Sequence, residues 1–261
     1  MILVATGLKQ ELNILKGAGV LVVAGGGDGA RLERELEGAS GDAEAIVSMG
    51  LCGALAPGLK PGDWVIASEV IYTPLVPAKA GIQAFLPDSP NPADSPEKNL
   101  GPRFRGDERD NYRTDADWSA VLVKALRGHD GLVLGSDVMI ADTSAKAAAY
   151  AATGAMAVDM ESHIAATVAL RHNLPFAVAR VVSDGANRSL PRAAQAGMAA
   201  DGGMDIGAVL RALAADPRQL PALIRVGAEA GKAFRELRRG RDFLGPGLGR
   251  SDVGELPLNV A

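Results

Sequence analysis

Two acidic residues, Glu161 and Asp184, each come shortly after a run of strand-forming side chains. Glu161 follows the apolar segment 156–159 and opens a helical pattern, and Asp184 follows the segment 176–183. Ligands of open α/β sheets bind outside the carboxyl ends of the strands. We therefore expect both carboxyl groups to face the same ligand.

Such a pair suits cleavage of the glycosidic C–N bond of a purine nucleoside. As this bond breaks, the ribose becomes an oxocarbenium-like cation and the departing purine gains negative charge. Asp184 can donate a proton or a strong hydrogen bond to purine N7. Glu161 can accept hydrogen bonds from the ribose 2′- and 3′-hydroxyls and support the cation, and Met160 offers the sugar a soft apolar surface.

The segments around this pair alternate between strand and helix patterns, which predicts a three-layer α/β domain. Several strand segments are apolar on both faces, as is typical of strands covered by helices. The predicted strands are 2–5, 20–24, 45–49, 64–72, 131–134, 156–159 and 176–183, and the predicted helices are 9–15, 30–36, 117–127, 144–153 and 161–172.

The composition excludes several classes of protein. The 261 residues are 48% hydrophobic, too apolar for a disordered chain, and the net charge of −4 gives no reason to expect a nucleic-acid partner. Cys52 is the only cysteine, which excludes an intrachain disulfide and favours a reducing compartment. No apolar stretch reaches the ~18 residues that span a bilayer. We expect a cytoplasmic protein, with contact at a membrane surface left open.

Residues 73–111 interrupt the alternation. They contain seven of the fifteen prolines, and so long a loop is uncommon in a compact domain unless it is functional or disordered. We interpret the segment as a flexible surface insertion; an active-site lid is the alternative. The predicted organisation is one domain over 1–240, which carries this insertion, and a C-terminal tail at 241–261.

The segment 218–250 is locally basic, with eight Lys or Arg residues against three Asp or Glu residues. Its apolar residues recur at helical spacing, which predicts an amphipathic helix. One interpretation is a helix docked on the domain with a solvated outer side. The other is a peripheral contact with anionic lipid.

The segment 158–186, VDMESHIAATVALRHNLPFAVARVVSDGA, resembles the signature of the purine nucleoside phosphorylase and methylthioadenosine/adenosylhomocysteine nucleosidase superfamily. The resemblance implies a phosphorylase-type α/β/α fold with a mixed, mostly parallel sheet, and a homo-oligomer. It assigns ribose binding to Met160 and Glu161, and assistance of the leaving base to Asp184. We expect no cofactor and no metal, with phosphate as a co-substrate only if the reaction is a phosphorolysis.

The N-terminal segment agrees with this resemblance. Gly7 and Glu11 match the Gly-x-x-x-Glu spacing of the nucleosidases, in which the Glu activates water. The alternative for Glu11 is an exposed carboxylate at a helix start, where the helix dipole favours it.

The stretch 48–67 resembles the glycine-rich turn of the superfamily, and Gly50 there allows close approach of the backbone to an anion or a water. Many phosphorylases place an Arg and a Ser, which grip phosphate, where this chain has Ser48 and Leu51. Phosphorolysis would then need other donors, such as backbone amides, Lys9 or Arg180. We group Gly7, Ser48, Gly50 and Arg180 as a candidate site for phosphate or water, and the nucleophile stays open.

Val138, Met139 and Ile140 are candidates to cover the purine, together with Asp159; a buried strand end is the alternative for the first three. The chain's three histidines lack metal-ligand spacing. Among them, His163 is interpreted as a helix-surface residue.

A closer resemblance, carried by the SMGLCG turn at 48–53, the QLPALIR segment at 219–225 and the FLGPG segment at 243–247, is to the hopanoid-associated phosphorylases. It implies that the substrate is adenosylhopane, cleaved to adenine and a ribosyl or phosphoribosyl hopane in hopanoid biosynthesis. An apolar channel would then hold the C5′ substituent. Two alternatives are a methylthioadenosine/adenosylhomocysteine nucleosidase-like hydrolase and a non-catalytic nucleotide-binding module.

Overall fold

The structure is a computed structural model that describes residues 1–72, 76–78, 81–83, 110–197, 202–203 and 205–244. The strands are β1 (Ile2–Thr6), β2 (Val20–Ala24), β3 (Ala45–Ala54), β4 (Trp64–Tyr72), β5 (Val76–Ala78), β6 (Gly81–Gln83), β7 (Asp110–Arg113), β8 (His129–Gly135), β9 (Ala157–Asp159) and β10 (Phe176–Asp184). The helices are α1 (Lys9–Leu15), α2 (Gly29–Ala39), α3 (Ala116–Leu126), α4 (Thr143–Thr153), α5 (Ser162–Arg171), α6 (Arg192–Ala196), α7 (Ile206–Ala215) and α8 (Leu220–Gly240).

The main sheet is mixed and mostly parallel, which confirms the predicted fold class. The pairs β1–β2, β1–β3, β3–β10, β4–β8 and β8–β9 are parallel. The pairs β3–β9, β4–β10 and β4–β7 are antiparallel. Because β10 pairs with both β3 and β4, and β8 and β9 join those two strands on the other side, the five strands close into a ring. The ring gathers several strand ends around one region.

Helices cover both faces of the sheet, as the alternation of its side chains requires. Along β1, Ile2 and Val4 belong to one core cluster, whereas Leu3 and Ala5 belong to the other. The first cluster packs against α1, α3 and α8, and the second against α2 and α5. The helix residues that fill these two clusters include Leu15, Leu122 and Leu237 on the first face, and Leu32, Leu36 and Val168 on the second.

Most predicted elements are present, with shifted ends. The strand predicted at 45–49 continues to Ala54, and the helix predicted at 161–172 begins at Ser162. The pattern missed β7, α6 and α7, which are short or, for α7, carry no buried side chain.

The predicted insertion at 73–111 lies largely outside the described residues, as does the tail beyond Leu244. Within the insertion, β5 and β6 form a small antiparallel pair. Asp110 and Asn111 belong to β7, which pairs with β4. The main sheet therefore resumes at Asp110, before the predicted end of the insertion at residue 111.

The basic segment 218–250 contributes α8. Ala233 and Leu237, in its second half, are buried against the sheet, whereas Leu220 and Ile224 in its first half are exposed. None of the described helices is long and apolar enough to cross a lipid bilayer.

Candidate active site

A cavity of about 180 Å³ lies at the strand ends that the ring gathers. Its wall is made by the segment after β1, by the last residues of β3, β9 and β10, and by the loop after β8. The lining residues are Gly7, Leu8, Glu11, Gly27, Leu51, Cys52, Gly53, Val138, Met139, Ile140, Val158, Asp159, Met160, Glu161, Ser183, Asp184 and Leu190.

The two carboxylates that the sequence assigns to one ligand both line this cavity. Asp184 is the last residue of β10, Glu161 immediately precedes α5, and both side chains are buried. Gly7 makes room for Glu161, whereas Gly53 is simply a neighbour of Asp184. A Cβ atom at Gly7 would lie 2.7 Å from Glu161 Oε1, so only glycine fits there, and a Cβ at Gly53 would lie 3.5 Å from Asp184 Oδ2.

Glu11 contributes a third carboxylate, from the first turn of α1. Its Oε2 accepts hydrogen bonds from Thr6 Oγ1 at 2.7 Å, from the Gly7 amide at 2.9 Å and from the Leu8 amide at 2.7 Å. Its Oε1 accepts one from the Leu51 amide at 2.7 Å. Glu11 is only 2% exposed, so the alternative of an exposed helix-start carboxylate is wrong. Four donors hold the carboxylate in one orientation.

Arg180, in β10, is a fixed positive charge behind these acids and is fully buried. Its Nε lies 3.1 Å from Asp159 Oδ2 and its Nη1 lies 3.2 Å from Glu161 Oε2. Its Nη2 donates to Ser48 Oγ at 2.6 Å, and Ser48 is also fully buried. Neither residue lines the cavity. This geometry corrects their assignment to a phosphate or water site. The Arg180 guanidinium and the Ser48 hydroxyl are hydrogen-bonded to each other, and Arg180 also pairs with the carboxylates of Asp159 and Glu161.

Two further predicted roles are changed by the structure. Gly50 lies behind the cavity wall, where a Cβ would come within 2.9 Å of both Arg180 Nη1 and Thr6 Oγ1. Asp159 lines the cavity, but its Oδ1 accepts hydrogen bonds from the Glu161 and Ser162 amides at 2.8 and 2.7 Å. With Oδ2 held by Arg180, Asp159 holds the start of α5 in place instead of offering its carboxylate to the purine.

Burial, together with the neighbouring carboxylates Asp159 and Glu11, raises the pKa of Glu161 to about 7 against the lowering effect of Arg180. Desolvation disfavours the charged form of a carboxyl group, and like charges act in the same direction. The cavity therefore holds an acid whose charge changes near neutral pH.

Asp184 has a buried cationic partner that the sequence analysis missed. Lys146 Nζ, from α4, donates a hydrogen bond to Asp184 Oδ2, and Ser183 Oγ donates to Asp184 Oδ1 at 2.7 Å. Lys146 is fully buried. This pair was not predictable from the sequence, because a lysine in an alanine-rich helix is usually a surface residue.

The remaining wall is apolar. Val138, Met139, Ile140 and Leu190 line the cavity, as does Met160 beside Glu161. Val138, Met139 and Ile140 therefore lie in the cavity for which contact with the purine was predicted, and Met160 lies where contact with the sugar was predicted. The roles of all four residues stay predictions. Leu190 was not predicted.

His163 is buried, which corrects its interpretation as a helix-surface residue. Its ring stacks on Tyr72 with centroids 4.5 Å apart, and its Nε2 lies 3.1 Å from Asp137 Oδ1. Tyr72 donates to the other oxygen of Asp137 at 2.6 Å. Burial raises the pKa of Tyr72 above its ordinary range, and the hydrogen bond from His163 lowers the pKa of Asp137.

A second cavity of about 220 Å³ adjoins the first, since Gly27, Met160 and Glu161 line both. The glycine-rich turn between β2 and α2 forms one wall of it, with Ile164 and Asp137 opposite. Within the described residues, no cluster of His, Cys, Asp and Glu side chains is arranged to hold a metal ion.

The sequence matches the family model described as the phosphorylase superfamily over residues 17–215. The chain belongs to the phosphorylase superfamily. This confirms the predicted enzyme class, a nucleoside phosphorylase or nucleosidase, at the level of the superfamily. No curated protein matches the sequence.

Solved structures of nucleosidases and of a futalosine hydrolase share the fold with this chain at low sequence identity. A Helicobacter pylori 5′-methylthioadenosine/S-adenosylhomocysteine nucleosidase, complexed with a substituted pyrrolidin-3-ol, has a TM-score of 0.56 and 14% identity over 93% of this chain and 98% of its own. A native futalosine hydrolase of H. pylori gives 0.56 and 14%, covering 93% and 97%. A putative methylthioadenosine nucleosidase from Weissella paramesenteroides gives 0.53 and 21%, covering 94% and 98%.

Proposed function

We propose that the protein hydrolyses the bond between a purine and C1′ of a nucleoside, with water as the nucleophile. The supporting observation is the charge of the cavity. Among the described residues that line it, Glu11, Asp159, Glu161 and Asp184 are acidic and none is Lys or Arg. Behind the wall, Arg180 pairs with Asp159 and Glu161, and Lys146 pairs with Asp184, so the four carboxyl groups still outnumber the two cations. Such a wall repels a phosphate dianion, whereas it stabilises a ribosyl cation and can accept a proton from water.

The positions of two acids along β3 support separate roles for them. Glu11 is held at the Leu51 amide, and Asp184 stands beside Gly53. Leu51 and Gly53 are two residues apart in the strand, a separation of roughly 7 Å, which one nucleoside can bridge. Asp184 then stands at the purine and Glu11 at the far side of C1′.

In the proposed reaction, Glu161 binds the ribose hydroxyls and Met160 packs on the sugar. The C1′–N9 electron pair moves to the purine as Asp184 passes a proton to N7. Glu11 accepts a proton from the water that bonds to C1′. The charges of Glu161 and Glu11 stabilise the oxocarbenium-like transition state, in which the ribose carries positive charge.

To test whether water or phosphate is the nucleophile, adenine release from adenosine analogues is measured in buffers with and without phosphate. We expect equal rates in both, and free ribosyl product instead of ribose 1-phosphate. A rate that rises with phosphate and saturates, with ribose 1-phosphate as product, would contradict hydrolysis.

We further propose that the substrate carries a large apolar group at C5′, with adenosylhopane as the specific candidate from the sequence resemblance. Two apolar pairs at i,i+4 spacing, Ile206/Leu210 and Leu220/Ile224, are exposed on α7 and α8. Arg211, Arg218 and Arg225 lie beside them in the chain and are exposed, as are the acidic residues Asp205 and Asp216. Exposed apolar side chains with arginines among them suit contact with a lipid surface.

This surface begins close to the cavity. The Lys9 amide donates to Gly202 O at 3.0 Å, and a Cβ at Gly202 would lie 3.0 Å from Gly7 O. Gly7 lines the cavity, and α7 begins at Ile206, four residues after Gly202. A nucleoside whose C5′ substituent stays in lipid can therefore reach the cavity from this side.

The double variant Leu210→Glu/Ile224→Glu tests the lipid contact. We expect it to lose flotation with vesicles of phosphatidylglycerol and phosphatidylcholine, and to slow adenine release from a 5′-alkyl adenosine embedded in them, because buried charge opposes insertion. Its rate on dissolved 5′-methylthioadenosine should stay unchanged. The control is Leu170→Glu, at an equally exposed position on α5. Equal flotation of all three proteins would contradict the lipid contact. A marked preference for 5′-methylthioadenosine would favour the nucleosidase-like alternative.

A further inference from the structure

Lys146 is a buried cation that the proposed reaction does not yet use. It lies in the first turn of α4, between the small buried residues Ala145 and Ala149, and none of its side chain is exposed. Lysine side chains normally extend their ammonium groups to water. Burying an ammonium costs several kcal/mol unless partners compensate it, so its position at the candidate acid calls for a specific role.

The three N–H groups of the Lys146 ammonium each have one acceptor. Nζ donates to Asp184 Oδ2, to Gly185 O at 3.1 Å and to Arg188 O at 3.0 Å. A peptide carbonyl does not take up a proton in this environment, whereas a carboxylate does. The proton that faces Asp184 is therefore the one that can move, and the two carbonyls would still hold a neutral amine in place by its two remaining N–H groups.

The carboxyl group that Lys146 contacts belongs to a residue that lines the cavity. A Cβ added at Gly53, which lines the cavity, would lie 3.5 Å from Asp184 Oδ2 and 3.8 Å from Oδ1. Because Asp184 lines the cavity and also receives the hydrogen bond from Lys146, a purine in the cavity can meet the same carboxyl group that Lys146 contacts.

We propose that Lys146 is a positioning residue that supplies the proton which Asp184 passes to the departing purine. This rests on the proposed function. The Nζ–H bond breaks as Asp184 gains the proton, and the carboxyl group then gives it to N7 as the C1′–N9 pair moves to the base. Lys146 is left as a neutral amine, Asp184 as a carboxylate and the purine as a neutral molecule. Glu11 releases to solvent the proton that it took from water. After the base leaves, Asp184, which lines the cavity, takes a proton from solvent and passes it back to the Lys146 amine.

The test compares two ribosides in Lys146→Met. Adenosine analogues need a proton on the leaving base, whereas nitrophenolate leaves a nitrophenyl riboside without one. We expect kcat for the adenosine analogue to fall by about 10²-fold or more and kcat for the nitrophenyl riboside to change by less than roughly threefold. The matched control is Lys124→Met, at an exposed lysine on α3, and it should change neither rate.

Lys146→Arg separates proton supply from charge alone, because a guanidinium keeps its charge and holds its protons. We expect it to cleave the nitrophenyl riboside and to remain defective on adenosine. Adenosine activity restored by Arg, or parallel losses on both ribosides in both variants, would overturn the role of Lys146 alone. A wild-type protein that cleaves neither riboside would instead overturn the proposed function, and the role of Lys146 with it.

Discussion

Replacing Asp184 with asparagine is expected to lower kcat for adenine release by about 10²–10⁴-fold, the usual contribution of a general acid. Asparagine keeps the size of the side chain and an oxygen that can accept the hydrogen bond from Lys146, but it cannot pass a proton to N7. Binding of free adenine should stay within a few-fold of wild type, since the apolar wall formed by Val138, Met139 and Ile140 is untouched. Steady-state kinetics and calorimetric titration with adenine measure the two quantities.

The control for Asp184→Asn is Asp142→Asn, at an exposed residue before α4 whose side chain caps no helical amide. It should have wild-type kinetics. Turnover by Asp184→Asn at the wild-type rate would remove Asp184 from the reaction. If wild type bound adenine and turned over no nucleoside, the non-catalytic binding module would be the better account.

The strand ends of the candidate site were predictable because buried strands have a clear sequence pattern. Ile2 to Ala5 are apolar at every position, which indicates a strand with helices on both faces, and the core clusters show that division. Once the strands were located, the rule that ligands bind at their carboxyl ends brought Glu161 and Asp184 to one cavity. Local pattern and a topological rule were sufficient for these two residues.

The partners of those acids were not predictable, since each is distant in the chain and local pattern gives no sign of burial. Lys146 pairs with Asp184 across 38 residues. Arg180 and Ser48 are separated by 132 residues and were predicted to bind phosphate or water. The register of β3 and β10 instead brings them together behind Asp159. His163 has one polar neighbour on the loop after β8 and an aromatic one on β4. All of these contacts depend on how the strands and helices pair in space. The periodicity of a single sequence carries no information about that pairing.

The pH dependence of the reaction is expected to report Glu161. Burial first, then Asp159 and Glu11, raises the pKa of this carboxyl to about 7 although Arg180 opposes the shift. The proposed role needs the ionised form, because a carboxylate accepts the ribose hydroxyls and stabilises the cation. Below the pKa the group is protonated and neutral. We therefore expect kcat/KM to rise about tenfold per pH unit below about 7 and to level off above it.

Glu161→Gln tests this assignment. The amide keeps an oxygen for a ribose hydroxyl but loses the charge, so we expect kcat/KM at pH 8 to fall by about 10²–10³-fold, as for loss of one preorganised electrostatic contact. The Gln variant should also lose the rise with pH between 5 and 7, since no charge remains to titrate at this position. In contrast, Asp184→Asn should be slower at every pH yet keep the rise, because its Glu161 is unchanged. A Gln variant that keeps the wild-type pH profile would show that Glu161 is not the group whose ionisation limits the reaction.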